Sequence, residues 1–404
     1  MHRLLPLSLQ RRQPARIRPL LDRIREVLGS LGDPQAAQPS ILVVGTNGKG
    51  STAAMLESVL AAHGLKVGLY TSPHLVRVEE RIRIDGSPIS AADLAAHLAT
   101  LERYPDLTFF ETLTAAAFLA FAGAGLDAAV LEAGMGGRWD ATRVAGSPIA
   151  GLTNVGSDHA GWLGERVEER AADKGAALMA ARWRVLGDGV PPELVPHLGA
   201  GPFLPAAGLV GLEPGPRGRL RLSWDDASVE VAVPLAGAHQ SANLRLAVAL
   251  ARCAADAGWI DRLRPDAVRD GLARADWPGR LSLHRVLGRW VLVDCAHNLE
   301  GAGALASHLA EGPVLYHLLF SCLDDKPVEA MARVLRPQVG NVVVFELEDE
   351  RAMPLTRLRA AFPEAEVAPS VMAALERLPD PVIAAGSLRV AGELLARAED
   401  EAAA

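Results

Sequence analysis

The residues with the clearest chemical potential lie in one stretch, residues 41–52, with the sequence ILVVGTNGKGST. Its leading apolar residues predict a buried strand and the apolar spacing over residues 51–62 predicts a helix, with a glycine-rich turn between them. Glycines let main-chain N–H groups turn inward, and the helix N-terminus attracts an anion, so the stretch predicts a phosphate-binding loop. Lys49 would bring a positive charge to the β- and γ-phosphates, and Ser51 or Thr52 an oxygen to Mg²⁺.

The loop departs from the common G-x-x-x-x-G-K-[ST] pattern in two places. Val43 occupies the first glycine position, and Gly50 stands where Ser or Thr would follow the lysine. An ordinary glycine turn between a strand and a helix is the alternative, and the complete strand–turn–helix context favours the phosphate loop. The predicted nucleotide contacts of this loop are Gly45, Thr46, Asn47, Gly48, Lys49, Gly50, Ser51 and Thr52.

Two further features single out residues for chemistry. Residues 128–132 predict a strand that ends in Glu132, the usual place for a Mg²⁺-directed acid beside a phosphate loop; a solvated charge at a strand end is the alternative. Lysine occurs only at positions 49, 66, 174 and 326 among 41 Lys and Arg residues, so arginine has replaced it almost everywhere. A retained lysine is therefore a candidate for chemistry that needs an amine, although chance retention is the alternative and suits Lys66.

Composition narrows the class of protein. The chain has 404 residues, half of them apolar, which predicts two or three globular domains. A net charge of −7 argues against a nucleic-acid partner. Three widely spaced cysteines argue against a disulfide framework or zinc site and fit a cytoplasmic location. The longest apolar run, residues 113–126, is too short to span a membrane, and the arginine-containing start predicts a leading arm rather than a signal peptide.

The order of predicted elements indicates an α/β fold. A first helix is predicted over residues 17–31, and beyond the phosphate loop strands alternate with helices, which implies mostly parallel sheets covered on both faces. Residues 190–230 predict irregular structure with short strands. We place a linker at residues 277–280, between an N-terminal ATP-binding domain (residues 1–276) and a smaller Rossmann-like α/β domain (residues 281–404).

Motifs along the chain resemble those of a known family. The segments GTNGKGST at 45–52 and TSPHL at 71–75 resemble those of folylpolyglutamate synthases and dihydrofolate synthases, which are ATP-dependent amide ligases of the Mur-ligase type. The resemblance continues in order through FETLT at 110–114, LEAGMGGRWDAT at 131–142, DH at 158–159 with WLG at 162–164, DKGA at 173–176, HQSAN at 239–243, WPGR at 277–280, DCAHN at 294–298, DK at 325–326 and GS at 386–387. Arg143 and Asp173 depart from it, since Asn and Glu are usual there.

The resemblance implies a fold, a reaction and a set of site residues. It implies a Mur-ligase-like central domain in which a substrate carboxylate attacks the γ-phosphate of ATP, after which the amine of L-glutamate attacks the acyl phosphate. It also implies two Mg²⁺ sites, with Ser72 and Glu132 holding one, and His159 and a carbamylated Lys174 the other. Lys49, Lys174, His159 and Glu132 would be catalytic, with Ser51 a further metal ligand. Asn243 would lie near the adenine, Arg280 and His297 near the phosphates, and Asp294 near the ribose or orienting the linker.

Several functions fit these observations. The leading one joins glutamate to a pterin substrate, and both dihydropteroate-to-dihydrofolate conversion and folate chain extension stay open. A cell-wall precursor ligase of the same superfamily is disfavoured by Gly50, where such enzymes usually have Thr. A non-catalytic ATP-binding regulator is disfavoured because Glu132, His159 and Lys174 are all present. The expected partners are small molecules, with no nucleic acid and no membrane, and the expected state is a cytoplasmic monomer.

Overall fold

The computed structural model describes residues 20–403. The predicted N-terminal arm and the first part of the helix predicted over 17–31 lie outside these residues. The described residues divide into two compact units, one formed by residues 20–234 and Gln240–Asp276, the other by Leu235–His239 and residues 277–403. The domain boundary at residues 277–280 stays a prediction; in this division the short segment 235–239, predicted within the first domain, belongs to the second unit.

The first unit is built on an eight-stranded sheet in the order β4-β3-β2-β5-β1-β6-β7-β8. Strands β2, β5, β1, β6, β7 and β8 run parallel, and β3 and β4 add an antiparallel hairpin at one edge. The strands are β1 (Ser40–Val44), β2 (Val67–Tyr70), β3 (Ile82–Ile84), β4 (Ser87–Pro88), β5 (Ala128–Glu132), β6 (Ile149–Asn154), β7 (Trp183–Gly189) and β8 (Leu204–Pro205). The prediction of a mostly parallel sheet is confirmed.

Helices and a small second sheet complete this unit. The helices are α1 (Asp22–Ser30), α2 (Lys49–Ala62), α3 (Ala91–Leu101), α4 (Phe109–Ala124), α5 (Ala160–Leu163), α6 (Val167–Leu178), α7 (Ala206–Leu209), α8 (Gln240–Asp256) and α9 (Pro265–Arg274). Three short antiparallel strands, β9 (Gly211–Pro214), β10 (Leu220–Trp224) and β11 (Ala227–Val231), fall in the region predicted to be irregular with short strands. The middle strands β1, β2 and β5 are buried along their whole length, as their continuous apolar runs predict.

The second unit has a six-stranded sheet in the order β12-β13-β17-β14-β15-β16. Its first two strands are antiparallel and the remaining pairings are parallel. The elements are β12 (Ser282–Val286), β13 (Arg289–Val293), α10 (Leu299–Glu311), β14 (Tyr316–Phe320), α11 (Val328–Leu335), β15 (Val339–Val344), α12 (Leu355–Ala361), β16 (Glu366–Val367), α13 (Val371–Arg377), β17 (Val382–Ala385) and α14 (Leu388–Ala403). No helix within residues 20–403 combines the length and apolar character needed to cross a membrane.

Parallel pairing determines where the chemistry-bearing residues of the first unit lie. Strands β2, β5, β1 and β6 are consecutive neighbours, so their carboxyl ends meet at one edge of the sheet. The segments that follow these four strands contain, in chain order, the phosphate loop, the TSPHL segment, the glycine-rich segment after Glu132 and the segment that leads to His159. Ligands of open parallel sheets bind at such an edge.

The phosphate-loop helix α2 is packed closely by α9, and glycine makes this approach possible. A Cβ on Gly271 of α9 would lie 2.7 Å from both Ser58 O and Val59 Cα of α2. Gly123 in α4 has nothing within 4 Å of the equivalent point.

We expect Gly271→Ala to lower the free energy of unfolding by about 1–3 kcal/mol through overpacking. Gly123→Ala is the matched control and should raise it by roughly 0.5–1 kcal/mol, because alanine is the better helix former. Urea unfolding measures both, and equal effects of the two changes would contradict the close packing.

Candidate active site

The phosphate loop connects the end of β1 to the first residue of α2. Gly45 has φ 155° and Gly48 has φ 82°, and both values favour glycine. Space also requires glycine, since a Cβ on Gly45 would collide with the Thr153 hydroxyl and one on Gly48 with the Asn243 side chain. Helix α2 begins at Lys49, two residues before the predicted start, and the first N–H groups of a helix have no partner within it, which favours an anion there.

The end of strand β6 holds this loop in place. The Asn154 Oδ1 accepts the main-chain N–H groups of Thr46 at 3.2 Å and Asn47 at 2.9 Å. The Asn154 amide and the Thr153 hydroxyl donate in turn to the Asn47 carbonyl, at 3.1 and 2.6 Å. Asn154 has no role among the sequence-based predictions. The signal in the sequence was a polar residue at the carboxyl end of a strand. Its meaning depends on the sheet order, which places that strand, β6, next to β1.

The first turn of α2 contains one hydroxyl with a partner and one without. The Ser51 Oγ accepts from Gln240 Nε2 at 3.4 Å. The Thr52 Oγ1 is buried and makes no hydrogen bond within residues 20–403. Lys49 Nζ donates to the Thr46 carbonyl at 3.1 Å, so its ammonium lies over the loop. An unpaired buried hydroxyl in the first turn of α2 fits the oxygen-rich contacts that a nucleotide and its metal make.

Strands β2 and β5 bring Ser72 and Glu132 together. Glu132 is 5% exposed, and its Oε2 accepts the Ser72 main-chain N–H at 3.0 Å. Nearby, Arg81 is buried and its Nε donates to His74 Nδ1 at 2.8 Å, which leaves the His74 proton on Nε2. Burial lowers the pKa of Arg81, and its interactions with Tyr70 and Glu132 oppose that shift. Glu132 and Ser72, assigned to one metal by resemblance, are therefore adjacent.

Lys174 lies on α6 with its amine directed at the phosphate loop. The side chain is 2% exposed, and Nζ donates to the Gly45 carbonyl at 3.1 Å. The pKa of Lys174 is lowered to about 7, chiefly by burial and next by the positive charge of Lys49, whereas Asp173 and Asp158 act in the opposite direction. An amine with this pKa is largely uncharged above neutral pH and can act as a nucleophile.

His159 follows β6 in a left-handed conformation, with φ 60° and ψ 30°. Its Nε2 lies 3.8 Å from Asp158 Oδ2, and its main-chain N–H donates to Asp158 Oδ1 at 2.9 Å. No group of three His, Cys, Asp or Glu side chains suited to a metal ion occurs among residues 20–403. The predicted ligand set does not depend on such a group, because it combines Glu132 and His159 with serine and lysine.

Known proteins are similar to this chain in architecture and in sequence. Residues 43–176 match the family model of the Mur ligase middle domain. The chain is 35% identical to the dihydrofolate synthase/folylpolyglutamate synthase of Mycobacterium tuberculosis, over 98% of this chain and 86% of that protein. The chain belongs to the folylpolyglutamate synthase/dihydrofolate synthase family.

A solved structure and a longer relative extend the comparison. The bifunctional folylpolyglutamate synthase/dihydrofolate synthase from Yersinia pestis, complexed with AMPPNP and a manganese ion, has a TM-score of 0.82 and 28% identity over 96% of this chain and 95% of that chain. A probable bifunctional folylpolyglutamate synthase/dihydropteroate synthase of Haloferax volcanii is 35% identical over 93% of this chain, which spans about half, 48%, of that relative. The family confirms the predicted Mur-ligase-like α/β fold and the class of ATP-dependent ligase.

Asn243, which is predicted to lie near the adenine, lies beside the phosphate loop in this structure. Asn243 on α8 is 7% exposed, and its Nδ2 donates to Gln240 Oε1 at 2.9 Å, which continues the contact of Gln240 with Ser51. Its side chain also fills the space next to Gly48. The assignment of Asn243 to the adenine stays a prediction.

The second unit contains the other three predicted contacts. Asp294 Oδ2 accepts the Leu281 N–H at 3.0 Å and Oδ1 accepts the Ala296 N–H at 2.8 Å, so this carboxylate fixes the segment that follows the predicted linker. This geometry favours the alternative in which Asp294 orients the linker. Arg280 Nη1 donates to the Gly279 carbonyl at 2.9 Å, and His297 Nδ1 lies 2.8 Å from the Cys295 carbonyl. The roles of Arg280 and His297 toward phosphates stay predictions.

The geometry around Glu132 predicts a metal-dependent phenotype. Glu132→Gln keeps the side-chain shape and removes one negative charge beside Ser72. We expect ATP turnover to fall by about 10- to 100-fold, with partial recovery at high Mg²⁺ because mass action restores a weakened metal. Initial rates across a Mg²⁺ titration measure this effect, and the thermal midpoint checks the fold. Turnover equal to the parent's at limiting Mg²⁺ would count against a metal role for Glu132.

Proposed function

We propose that this chain joins L-glutamate to the carboxylate of a pterin substrate, either dihydropteroate or a folate, with hydrolysis of ATP to ADP and phosphate. The observation that carries the proposal is the convergence of Lys49, Lys174 and Glu132 at one edge of the sheet, in a chain that belongs to the family along nearly its whole length. The family uses ATP as a reactant and a divalent metal ion as a cofactor. The Yersinia pestis relative, solved with AMPPNP and a manganese ion, supports both.

The first chemical step brings two anions together. A carboxylate oxygen of the pterin substrate attacks the γ-phosphorus of ATP, the bond to ADP breaks, and an acyl phosphate forms. Positive charge and oriented N–H groups are needed to overcome the repulsion. Lys49 and the main-chain N–H groups of the loop supply both. Ser51, Ser72 and Glu132 would hold the divalent metal, which supplies charge neutralisation for the phosphates when bound.

The second step forms the amide bond. The uncharged α-amine of glutamate attacks the acyl carbon, the carbon–oxygen bond to phosphate breaks, and the amine loses a proton. Inorganic phosphate leaves with the oxygen that came from the carboxylate. Arg280 and His297 are proposed to contact the phosphates, and Asn243 the adenine. An acyl phosphate hydrolyses readily, so the reaction benefits from exclusion of water.

Lys174 is proposed to act as a carbamate. Its uncharged amine would attack CO₂, form a nitrogen–carbon bond and release one proton, which converts a buried neutral group into an anion with two oxygen ligands. The lowered pKa supports this reaction, because the uncharged amine is well populated near pH 7. With His159, the carbamate would hold a second metal ion. The retention of lysine at this position, in a chain that otherwise favours arginine, is further support.

The proposal also covers the number of ligase activities, the oligomeric state and the cellular location. Both ligase activities are proposed to occur in this chain, supported by the bifunctional relatives and by the Trp162-Leu163-Gly164 form of the segment near His159. The protein is proposed to act as a cytoplasmic monomer with small-molecule partners. Its cysteines at 253, 295 and 322 are all free and buried, which suits a reducing compartment.

The proposal is tested by the dependence of ADP release on each substrate. With purified protein and ATP, we expect ADP to appear only when L-glutamate and either dihydropteroate or tetrahydrofolate are both present. A coupled ADP assay gives the rate, and mass spectrometry of the pterin product gives the added glutamate. ADP release that is independent of glutamate, or a product without added mass, would contradict the proposal.

The role of Lys174 is tested by a change that places a permanent cation at its position. Lys174→Arg puts a cation near Gly45 but cannot readily form a carbamate, so we expect a folded protein whose turnover is at least about 100-fold lower. Lys174→Ala should regain part of its activity when a short carboxylic acid is added. Turnover of Lys174→Arg equal to the parent's in bicarbonate-depleted buffer would rule the carbamate out.

A further inference from the structure

The His159 loop (residues 156–165) is held at both ends by one buried arginine on α6. Arg170 is 6% exposed, and its Nε donates to the Gly156 carbonyl at 2.7 Å. Its Nη1 donates to the Gly164 and Glu165 carbonyls at 2.9 and 2.8 Å. A guanidinium presents its donors in a rigid fork, so this set of contacts fixes the separation of the two loop ends.

The conformation inside the loop makes such a tie necessary. His159 has φ 60°, in the left-handed region, where a side chain with a Cβ is strained. Strained residues persist only where surrounding contacts determine the conformation. The N–H groups of Trp162 and Leu163 donate to the His159 carbonyl, and these bonds close the loop locally. The ends of the loop are fixed by Arg170.

The same arginine connects two parts of the site. Gly156 accepts from Arg170 through its carbonyl, and its N–H donates to the Thr46 hydroxyl at 2.8 Å. Arg170 therefore reaches the phosphate loop through one residue. It also lies one helical turn before Lys174 on α6, and its charge acts on that amine. The His159 loop, the phosphate loop and the Lys174 helix meet at this arginine.

We propose that Arg170 is a positioning residue. It holds His159 at a fixed position relative to Lys174 and the phosphate loop, so that the second divalent metal ion can bind. The inference rests on the proposed function only in taking His159 and Lys174 as the ligands of that ion. Arg170 touches neither substrate nor metal in this account, and it acts through the loop ends that it fixes.

The chain provides a matched control for the loss of such an arginine. Arg184 in β7 also donates to three main-chain carbonyls, those of Ala181, Ala200 and Met179, at 2.9, 2.9 and 3.0 Å. Arg170→Met and Arg184→Met should both lower the thermal midpoint, because each leaves carbonyls without their donor. Only Arg170→Met should change metal binding, and this difference separates positioning from general stability.

The experiment measures Mn²⁺ binding directly. Parent, Arg170→Met and Arg184→Met are loaded with AMPPNP in air-equilibrated buffer and titrated with Mn²⁺, and free Mn²⁺ is followed by electron paramagnetic resonance. We expect two Mn²⁺ per chain in the parent and in Arg184→Met. In Arg170→Met the weaker Mn²⁺ should lose affinity by about 10-fold or more, the typical effect of removing an outer residue that orients a ligand.

Every outcome decides the inference. If Arg170→Met does not fold, Arg170→Gln, which keeps one donor, takes its place with the same expectation. A parent that binds a single Mn²⁺, or an Arg170 variant whose Mn²⁺ affinities equal those of Arg184→Met, would overturn it. The result is independent of the proposed ligase reaction, since a parent that binds nucleotide and metal but joins no glutamate would refute the reaction alone.

Discussion

A concentration of buried positive charge at the carboxyl edge of the central sheet is the constraint on which the site depends. The Lys174 amine is buried against the Gly45 carbonyl, and both Lys49 and Arg170 lower its pKa further. Cations are costly to bury near one another unless anions or hydrogen-bond acceptors compensate them. Phosphates and a substrate carboxylate would provide that compensation, as would the proposed lysine carbamate, so one electrostatic requirement would account for the ligands, the chemistry and the retained lysine together.

Hydrogen bonds to side chains hold the loops that surround this charge. Asn154 accepts two N–H groups of the phosphate loop, and Asp140 Oδ2 accepts those of Gly134 and Met135 in the glycine-rich segment after β5. Asp173, next to Lys174, accepts the Gly137 N–H at 2.8 Å. These contacts fix main-chain groups before a ligand arrives, and preorganisation of this kind reduces the reorganisation that the reaction requires. The loops are therefore part of the rigid scaffold.

Local patterns in the sequence were sufficient for most of the elements and for the charged residues that were singled out. The buried strands, the phosphate loop and the acid at the end of β5 are all visible as runs of neighbouring residues. Asn154 was missed because its role comes from contacts with a loop 107 and 108 residues earlier in the chain. Arg170 was missed because its partners are main-chain carbonyls of an irregular loop, 5 to 14 residues before it, and the periodicity of residue types does not reveal such contacts. Strand β7 was missed because its sequence, WRVLGDG, mixes apolar residues with glycine and charge and derives its conformation from pairing with β6. Asp294 was predicted with two alternatives, and only its hydrogen bonds favour one of them.

We expect a pterin carboxylate to become an acyl phosphate in this site before glutamate is joined. The most direct measurement follows the oxygen atoms of that carboxylate. Dihydropteroate labelled with ¹⁸O in both carboxylate oxygens is converted with ATP and glutamate, and the released phosphate is analysed by mass spectrometry. We expect one ¹⁸O in phosphate for each glutamate joined, because the bridging oxygen leaves with the phosphorus. Unlabelled phosphate alongside full product formation would contradict it.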